Sequence, residues 1–208
     1  MSIAIIGAGN VGMALAQALV ARGETVVFGV PDPDKYRAAA GRLGPAASIG
    51  PTAAAVGAGE LVILAVPYAA AQSVARDSAD WRQKILVDAT NPLAPGLAGL
   101  SLGTNTSGAE QIAAAARGAR VVKAFNTTGA DNMADSDYPA GRIFMPVCGD
   151  DAEARARVLA LASLLGFDAV DCGELKAARY LEPFAMTWIH LALKMGHGRR
   201  FAFARMTR

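Results

Sequence analysis

The sequence predicts an α/β fold, a Rossmann-type doubly wound and mostly parallel sheet with a small C-terminal helical extension. Three observations carry that expectation. A short apolar strand at the N-terminus passes through Gly7, Gly9 and Gly12, in G-x-G-x-x-G spacing, directly into a helix. Short apolar strands then alternate with helical stretches, the pattern of a parallel sheet with crossover helices. From Glu174 onward the pattern becomes one long helical stripe. The expected division therefore places a dinucleotide-binding Rossmann domain at 1–173 and a helical extension, packed on that domain or on a partner subunit, at 174–208.

In chain order, 2–6 reads as the first strand, and 13–22 as a helix closing at Gly23. Residues 25–28 read as the second strand, 46–49 as a short third and 52–56 as a small helix. A strong apolar strand at 60–66 follows, then a helix at 69–77 and a strand at 84–88. After a long loop come a helix at 108–116 and a strand at 120–125. Residues 143–147, a helix at 152–165 and residues 169–171 extend the same sheet. In the last segment Leu175, Ala178, Leu181, Ala185, Trp188, Ile189 and Ala192 keep helical spacing, and Pro183 marks a kink or a break between two helices. That stripe needs a partner. Either it folds back over the nucleotide domain or it meets the same helix of a second copy, and a homodimer is the expectation.

Composition bounds the function classes. Hydrophobic residues make up 53% of the 208 and charged residues 18%, yet no run of about 18 purely apolar residues occurs, so no membrane span is expected. No basic segment precedes the first strand, which predicts a cytoplasmic chain without a signal peptide. Cys148 and Cys172 read as thiols rather than a disulfide, and they suggest no metal site. The net charge of +2 hides an asymmetry. After Glu182 there are no acids, while Lys194, Arg199, Arg200, Arg205 and Arg208 add five positive charges. Without a recognition motif this reads as a solvated basic end, not a nucleic-acid surface. H-E-x-x-H, a Walker lysine and Cys/His ligand spacing are all missing from the sequence.

The candidate binding residues follow from the fold. Gly7 permits a tight turn, Gly9 lets a pyrophosphate approach the backbone, and Gly12 lets the helix pack close to the strand. Together with Ala8, Asn10 and Val11 they would hold the pyrophosphate at the helix N-terminus. Ligands of open α/β sheets sit beyond the carboxyl ends of the strands, which draws attention to four clusters. Val66-Pro67-Tyr68 follows one strand, with Ala65 at that strand's end also a cofactor-binding candidate, Asp88-Ala89-Thr90-Asn91-Pro92 the next, Phe125-Asn126-Thr127-Thr128 the next, and Cys148-Gly149-Asp150-Asp151 the one after. Tyr68, Asn91, Asn126 and Thr127 are the candidates to orient a nicotinamide or a second, small-molecule substrate; the alternative for the two asparagines is that they satisfy loop backbone groups. Asp150 or Asp151 reads as a helix N-cap, and Ser107 with Glu110 as a capping box. The glycine-rich apolar loop at 93–103 is suited to cover a flat aromatic substrate. His190 reads as a packed histidine. With no protein nucleophile in view, the chemistry expected is direct hydride transfer between two rings held face to face.

Gly7 to Gly12, Val66-Pro67, 88–92 (Asp-Ala-Thr-Asn-Pro), 123–127 (Lys-Ala-Phe-Asn-Thr) and 146–151 together resemble the coenzyme F420-dependent NADP oxidoreductase family. The cytosolic domains of transmembrane metalloreductases are similar, sharing the glycine motif and the Lys-Ala-Phe-Asn-Thr stretch. The resemblance implies a cytoplasmic oxidoreductase that passes hydride between NADP and a deazaflavin or flavin-like acceptor, with F420, FMN or FAD as second substrate. It also implies that Val66 and Pro67 border the nicotinamide-side nucleotide and that Asn126 and Thr127 lie near the reacting rings. One departure bears on the cofactor. Where NADP-using relatives carry Ser or Thr and then Arg after the second strand, this chain has Val30 and Pro31, neither of which donates a side-chain hydrogen bond to a 2'-phosphate. Asp32 would accept from a ribose hydroxyl or else cap the next helix, and Lys35 and Arg37 are the substitute cations, so NAD stands beside NADP. Two alternatives accompany this reading: a flavin-mediated ferric or other metal reductase, and a non-catalytic redox sensor that binds NAD(P).

Overall fold

A computed structural model describes residues 2–77 and 80–208. Eight strands form one sheet: β1 (Ile3–Ile6), β2 (Val26–Val30), β3 (Ala47–Pro51), β4 (Leu61–Leu64), β5 (Ile85–Asp88), β6 (Arg120–Lys123), β7 (Phe144–Gly149) and β8 (Asp168–Asp171). Their order is β3-β2-β1-β4-β5-β6-β7-β8. The first six are parallel and follow the doubly wound order 3-2-1-4-5-6, with the switch between β1 and β4. Strands β1, β4 and β5 are buried along their whole length, as expected of parallel strands covered on both faces.

The helices divide between the two faces. On one, α1 (Asn10–Val20) and α7 (Ala152–Leu164) bury Leu15, Leu19, Val158 and Leu161 against Ile3, Ile5, Phe28, Ile63 and Val87. On the other, α3 (Thr52–Ala58), α4 (Tyr68–Asp77) and α5 (Gly108–Ala115) cover Ala4, Ile6, Val62, Leu64 and Leu86. The remaining helices are α2 (Pro33–Gly41), α6 (Ala130–Ala134) and α8 (Ala178–Ile189).

β7 departs from the expected parallel extension, because it runs antiparallel to β6 with Lys123 opposite Cys148 and Val122 opposite Gly149. The connection explains the reversal. A parallel crossover needs a helix that returns the full height of the sheet, whereas α6 has five residues and rises only about 7 Å. The chain stays at the carboxyl end and must enter β7 from there. β8 then pairs parallel to β7.

The C-terminal stripe folds back on its own chain. Leu175, Ala178, Leu181, Ala185, Trp188 and Ala192 are all buried. Pro183 neither kinks α8 apart nor ends it; it lies on the exposed side of a helix that continues to Ile189 and then into a π-helical turn over His190–Lys194. Buried Leu181, Glu182 and Ala185 hold the opposite side. His190, expected to be packed, is exposed. The residues beyond dock as a strap: the Phe144 amide donates to the Phe203 carbonyl at 2.8 Å, Phe201 stacks on Trp188 with centroids 5.3 Å apart, and Arg205 pairs with Asp168. Among the described residues no helix is long and apolar enough to cross a membrane.

Candidate functional site

The glycine turn packs as its spacing requires. The Gly7 amide donates to the Gly29 carbonyl at 2.9 Å, and Gly7 takes φ +104°, where a Cβ would lie 2.5 Å from the Ala65 carbonyl oxygen. A Cβ on Gly12 would collide with the Gly7 carbonyl oxygen. Gly9 is different: a Cβ there would meet no described atom within 4 Å. It is the N-cap of α1, which no side chain among the described residues caps and whose first turn carries no acid. The free amides and the positive end of the helix dipole are therefore directed at open space, an arrangement that holds an anion.

That space is one end of a cavity of about 520 Å³. Gly9, Asn10 and Val11 line it at the glycine turn, then Ala65 to Ala69 after β4 and Ala89, Thr90 and Asn91 after β5. Phe125 and Asn126 follow β6, Thr128 to Ala130 and Met133 belong to α6 and its approach, and Trp188 and Ile189 of α8 close the far side. Leu93 is contributed by the long loop. The cavity thus crosses from the switch point toward β6, the half of a doubly wound sheet that takes the second mononucleotide of a dinucleotide.

At its far end the backbone is strained. Phe125 has φ +59°, a region that a bulky side chain avoids. Its amide donates to the Met145 sulfur at 3.2 Å, and its buried ring meets Phe167 edge-on. The twist swings Asn126 into the cavity. The Asn126 amide nitrogen donates to Asn91 Oδ1 at 3.0 Å and toward the Leu181 carbonyl at 3.4 Å, while Asn91 donates to the Asn126 carbonyl at 2.9 Å. Since the Leu181 carbonyl only accepts, the group facing it is the nitrogen. That leaves Asn126 Oδ1 buried with no partner among the described residues. An unpaired buried acceptor costs about 1–3 kcal/mol, and in a cavity wall it invites an N–H from a ligand.

Beneath this wall lies a charged cluster. Lys123 Nζ is 2.8 Å from Asp88 Oδ2, 3.1 Å from Glu182 Oε1 and 2.6 Å from the Thr90 carbonyl. All three charged side chains are buried. Burial pulls the Lys123 pKa down, but Asp88 and Glu182 outweigh it and hold the ammonium above its ordinary value. Asp88 Oδ1 accepts from the Thr90 amide and hydroxyl at 2.9 and 2.7 Å. Glu182 also accepts from the Gly108 and Ala109 amides, capping α5.

The sequence candidates distribute unevenly. Gly9, Asn10, Val11, Ala65, Val66, Pro67, Tyr68, Asn91 and Asn126 line one cavity, with Gly7, Ala8 and Gly12 forming the turn behind it. The Tyr68 hydroxyl donates to Gln111 at 2.8 Å and accepts from Gln72 at 2.6 Å; burial raises its pKa. Thr127 does not line the cavity: it is buried, its hydroxyl directed at the Met145 sulfur 3.9 Å away. Val30, Pro31, Asp32 and Lys35 stand beyond the cavity lining, at the end of β2. Asp32 caps α2 through the Lys35 amide, at 3.4 Å, and Arg37 is paired with Asp34. Lys35 is exposed. Asp150 and Asp151, grouped with the strand ends on the ligand side, belong to the opposite edge because β7 is reversed; Asp151 caps α7 and pairs with Arg120 at the start of β6. Cys148 is buried, which pushes its thiol up to about 12, and among the described residues no cluster of His, Cys, Asp or Glu is arranged for a metal. Sequence reasoning did not select Met133, Trp188 or Ile189 as lining residues, nor Glu182 as a partner of Lys123. The helical stripe did contain Trp188 and Ile189, and the resemblance drew on Lys123.

Residues 2–92 match the family model described as NADP oxidoreductase, coenzyme F420-dependent. The F420-dependent NADP reductase of Methanothermobacter thermautotrophicus is 30% identical over 93% of this chain and 90% of its own. The metalloreductase STEAP3 of Rattus norvegicus is 32% identical over 88% of this chain, which spans only 36% of that longer protein. A solved structure from Arthrobacter sp. FB24, named for a proposed F420-dependent NADP-reductase activity, superposes with a TM-score of 0.85 at 32% identity, covering 99% of this chain and 100% of the other.

Proposed function

Because the chain belongs to the coenzyme F420-dependent NADP oxidoreductase family, we propose that this NAD(P)-dependent oxidoreductase transfers hydride between a nicotinamide dinucleotide and a deazaflavin. The observation that carries the reading is one cavity with an anion-holding helix end at one extremity and an unpaired buried acceptor, Asn126 Oδ1, at the other. The residues present fit a dinucleotide. The α1 amides would take the pyrophosphate, Val66 and Pro67 would border the nicotinamide-side ribose, and Asn91 with Asn126 would fix the reacting ring by hydrogen bonds. Trp188, Ile189 and Met133 would keep water from the two rings. Such a cofactor, when bound, supplies the hydride, so the chain's own work is to orient and to shelter.

Toward the adenosine end, family membership supports NADP, with exposed Lys35, on α2 just after β2, as the cation that would meet a 2'-phosphate. A flavin acceptor is the second reading, supported by the 32% identity to STEAP3. Anaerobic turnover assays separate the two. Oxidation of NADPH with F420, faster than with NADH and faster than with FMN or FAD plus ferric chelate, is expected. Turnover with free flavin and ferric chelate but none with F420 would reject the deazaflavin reading.

A further inference from the structure

We infer that the buried Asp88–Lys123–Glu182 cluster tunes the site electrostatically, favouring the oxidised over the reduced nicotinamide by holding surplus negative charge one residue beneath the far end of the cavity. The inference rests on the dinucleotide reading above. Two carboxylates face one ammonium, and the α5 amides capped by Glu182 add about half a positive charge, so the cluster keeps a negative surplus of about half a charge. Thr90 connects it to the cavity. Its carbonyl accepts from Lys123, its amide and hydroxyl donate to Asp88, and Thr90 itself lines the space. All three charged side chains are at most 2% exposed, so solvent screens them weakly.

Loss of hydride leaves a nicotinamide ring cationic; the electron pair passes with the hydride to the acceptor, and the proton that completes the acceptor's reduction comes from water. The cluster takes no part in bond making. A negative surplus behind Thr90 stabilises the cationic ring and leaves the neutral dihydro ring nearly untouched. A purely structural tie would behave differently. Replacing buried ion clusters by apolar groups is often neutral for stability, and loosening the tie between α8 and the sheet would weaken both redox forms alike.

The test is the ratio of dissociation constants for NADP⁺ and NADPH, measured by calorimetry on the full chain and on Glu182→Gln, which removes one unit of charge and keeps an oxygen for an α5 amide. A single charge acting at about 10 Å through an effective dielectric of about 20 corresponds to roughly tenfold. The variant is therefore expected to bind NADP⁺ about tenfold more weakly relative to NADPH. A parallel loss of both affinities, or an unchanged ratio, would overturn the inference while leaving the dinucleotide site intact. Failure of the unaltered chain to bind either form would overturn the dinucleotide reading instead. Should Glu182→Gln not fold, Asp88→Asn carries the same expectation, since its Oδ1 still accepts from Thr90.

Discussion

One backbone angle decides which side chain the site presents. Phe125 at φ +59° turns consecutive residues in opposite directions, so that Asn126 enters the cavity and Thr127 returns to the core. Strain of this kind costs about 1–3 kcal/mol and persists only where surrounding packing enforces it; here the buried ring against Phe167 and the contact with Met145 do so. In the proposed reading, Asn126→Ala is expected to lower kcat/KM by about 10- to 100-fold, while dinucleotide affinity, which the α1 amides would anchor, changes less than about fivefold. Steady-state rates beside calorimetric titration check this, and an unchanged rate would remove Asn126 from the reaction. The polarity and strand-end position of Asn126 were legible in the sequence. The opposite fate of its neighbour was not, because phenylalanine is a residue from which no left-handed conformation is expected.

At the level of elements, the junction of α5 and α8 shows how a local rule is rewritten by distant partners. Ser107 Oγ accepts from the Glu110 amide, as the capping pattern predicts. The Glu110 carboxylate, however, takes the Ser107 hydroxyl and Arg179 instead of reaching back to the Ser107 amide, while Glu182 takes the amides of Gly108 and Ala109. Hydrogen bonding to Arg179 outweighs burial and, with help from Ser107, holds the Glu110 carboxyl below its ordinary value. A depressed folded value means that this pair stabilises fully above the unfolded pKa of about 4.3 and is lost as pH falls through the folded value. Glu110→Gln should cost up to about 1 kcal/mol near neutrality. Denaturant melts across the acid range should show that difference shrinking below about pH 4, and a constant difference would contradict the assignment. Periodicity revealed the long helices and apolar strands within a few residues. It missed α6, which is too short to show a period, and it gave no hint of Glu182, whose partners Lys123, Gly108 and Ala109 lie about 60–75 residues earlier in the chain.

The molecule as a whole is closed by its last segment. Trp188 donates to the Phe201 carbonyl at 2.9 Å, and Asn132 of α6 donates to the same oxygen at 2.8 Å, so the strap joins two walls of the cavity. Removing residues 199–208 should cost about 2–4 kcal/mol from partly buried aromatic surface and the three hydrogen bonds accepted by the Phe201 and Phe203 carbonyls, or roughly 5–15 °C in Tm. Red-shifted Trp188 emission should accompany it. Full retention of Tm would show that the strap adds nothing. The doubly wound, parallel character of the first six strands was readable from the alternation of elements, whereas the reversal of β7 was not, since an apolar strand reads the same in either direction. That reversal has a consequence for synthesis. It sends the chain to the amino edge of the sheet, where the Leu175 amide meets Asp150, and only then does α8 climb back toward the cavity. In the proposed reading, the turn that would hold phosphate is thus synthesised long before the wall that would keep out water, so the ribosome releases the anchor for the ligand ahead of its enclosure.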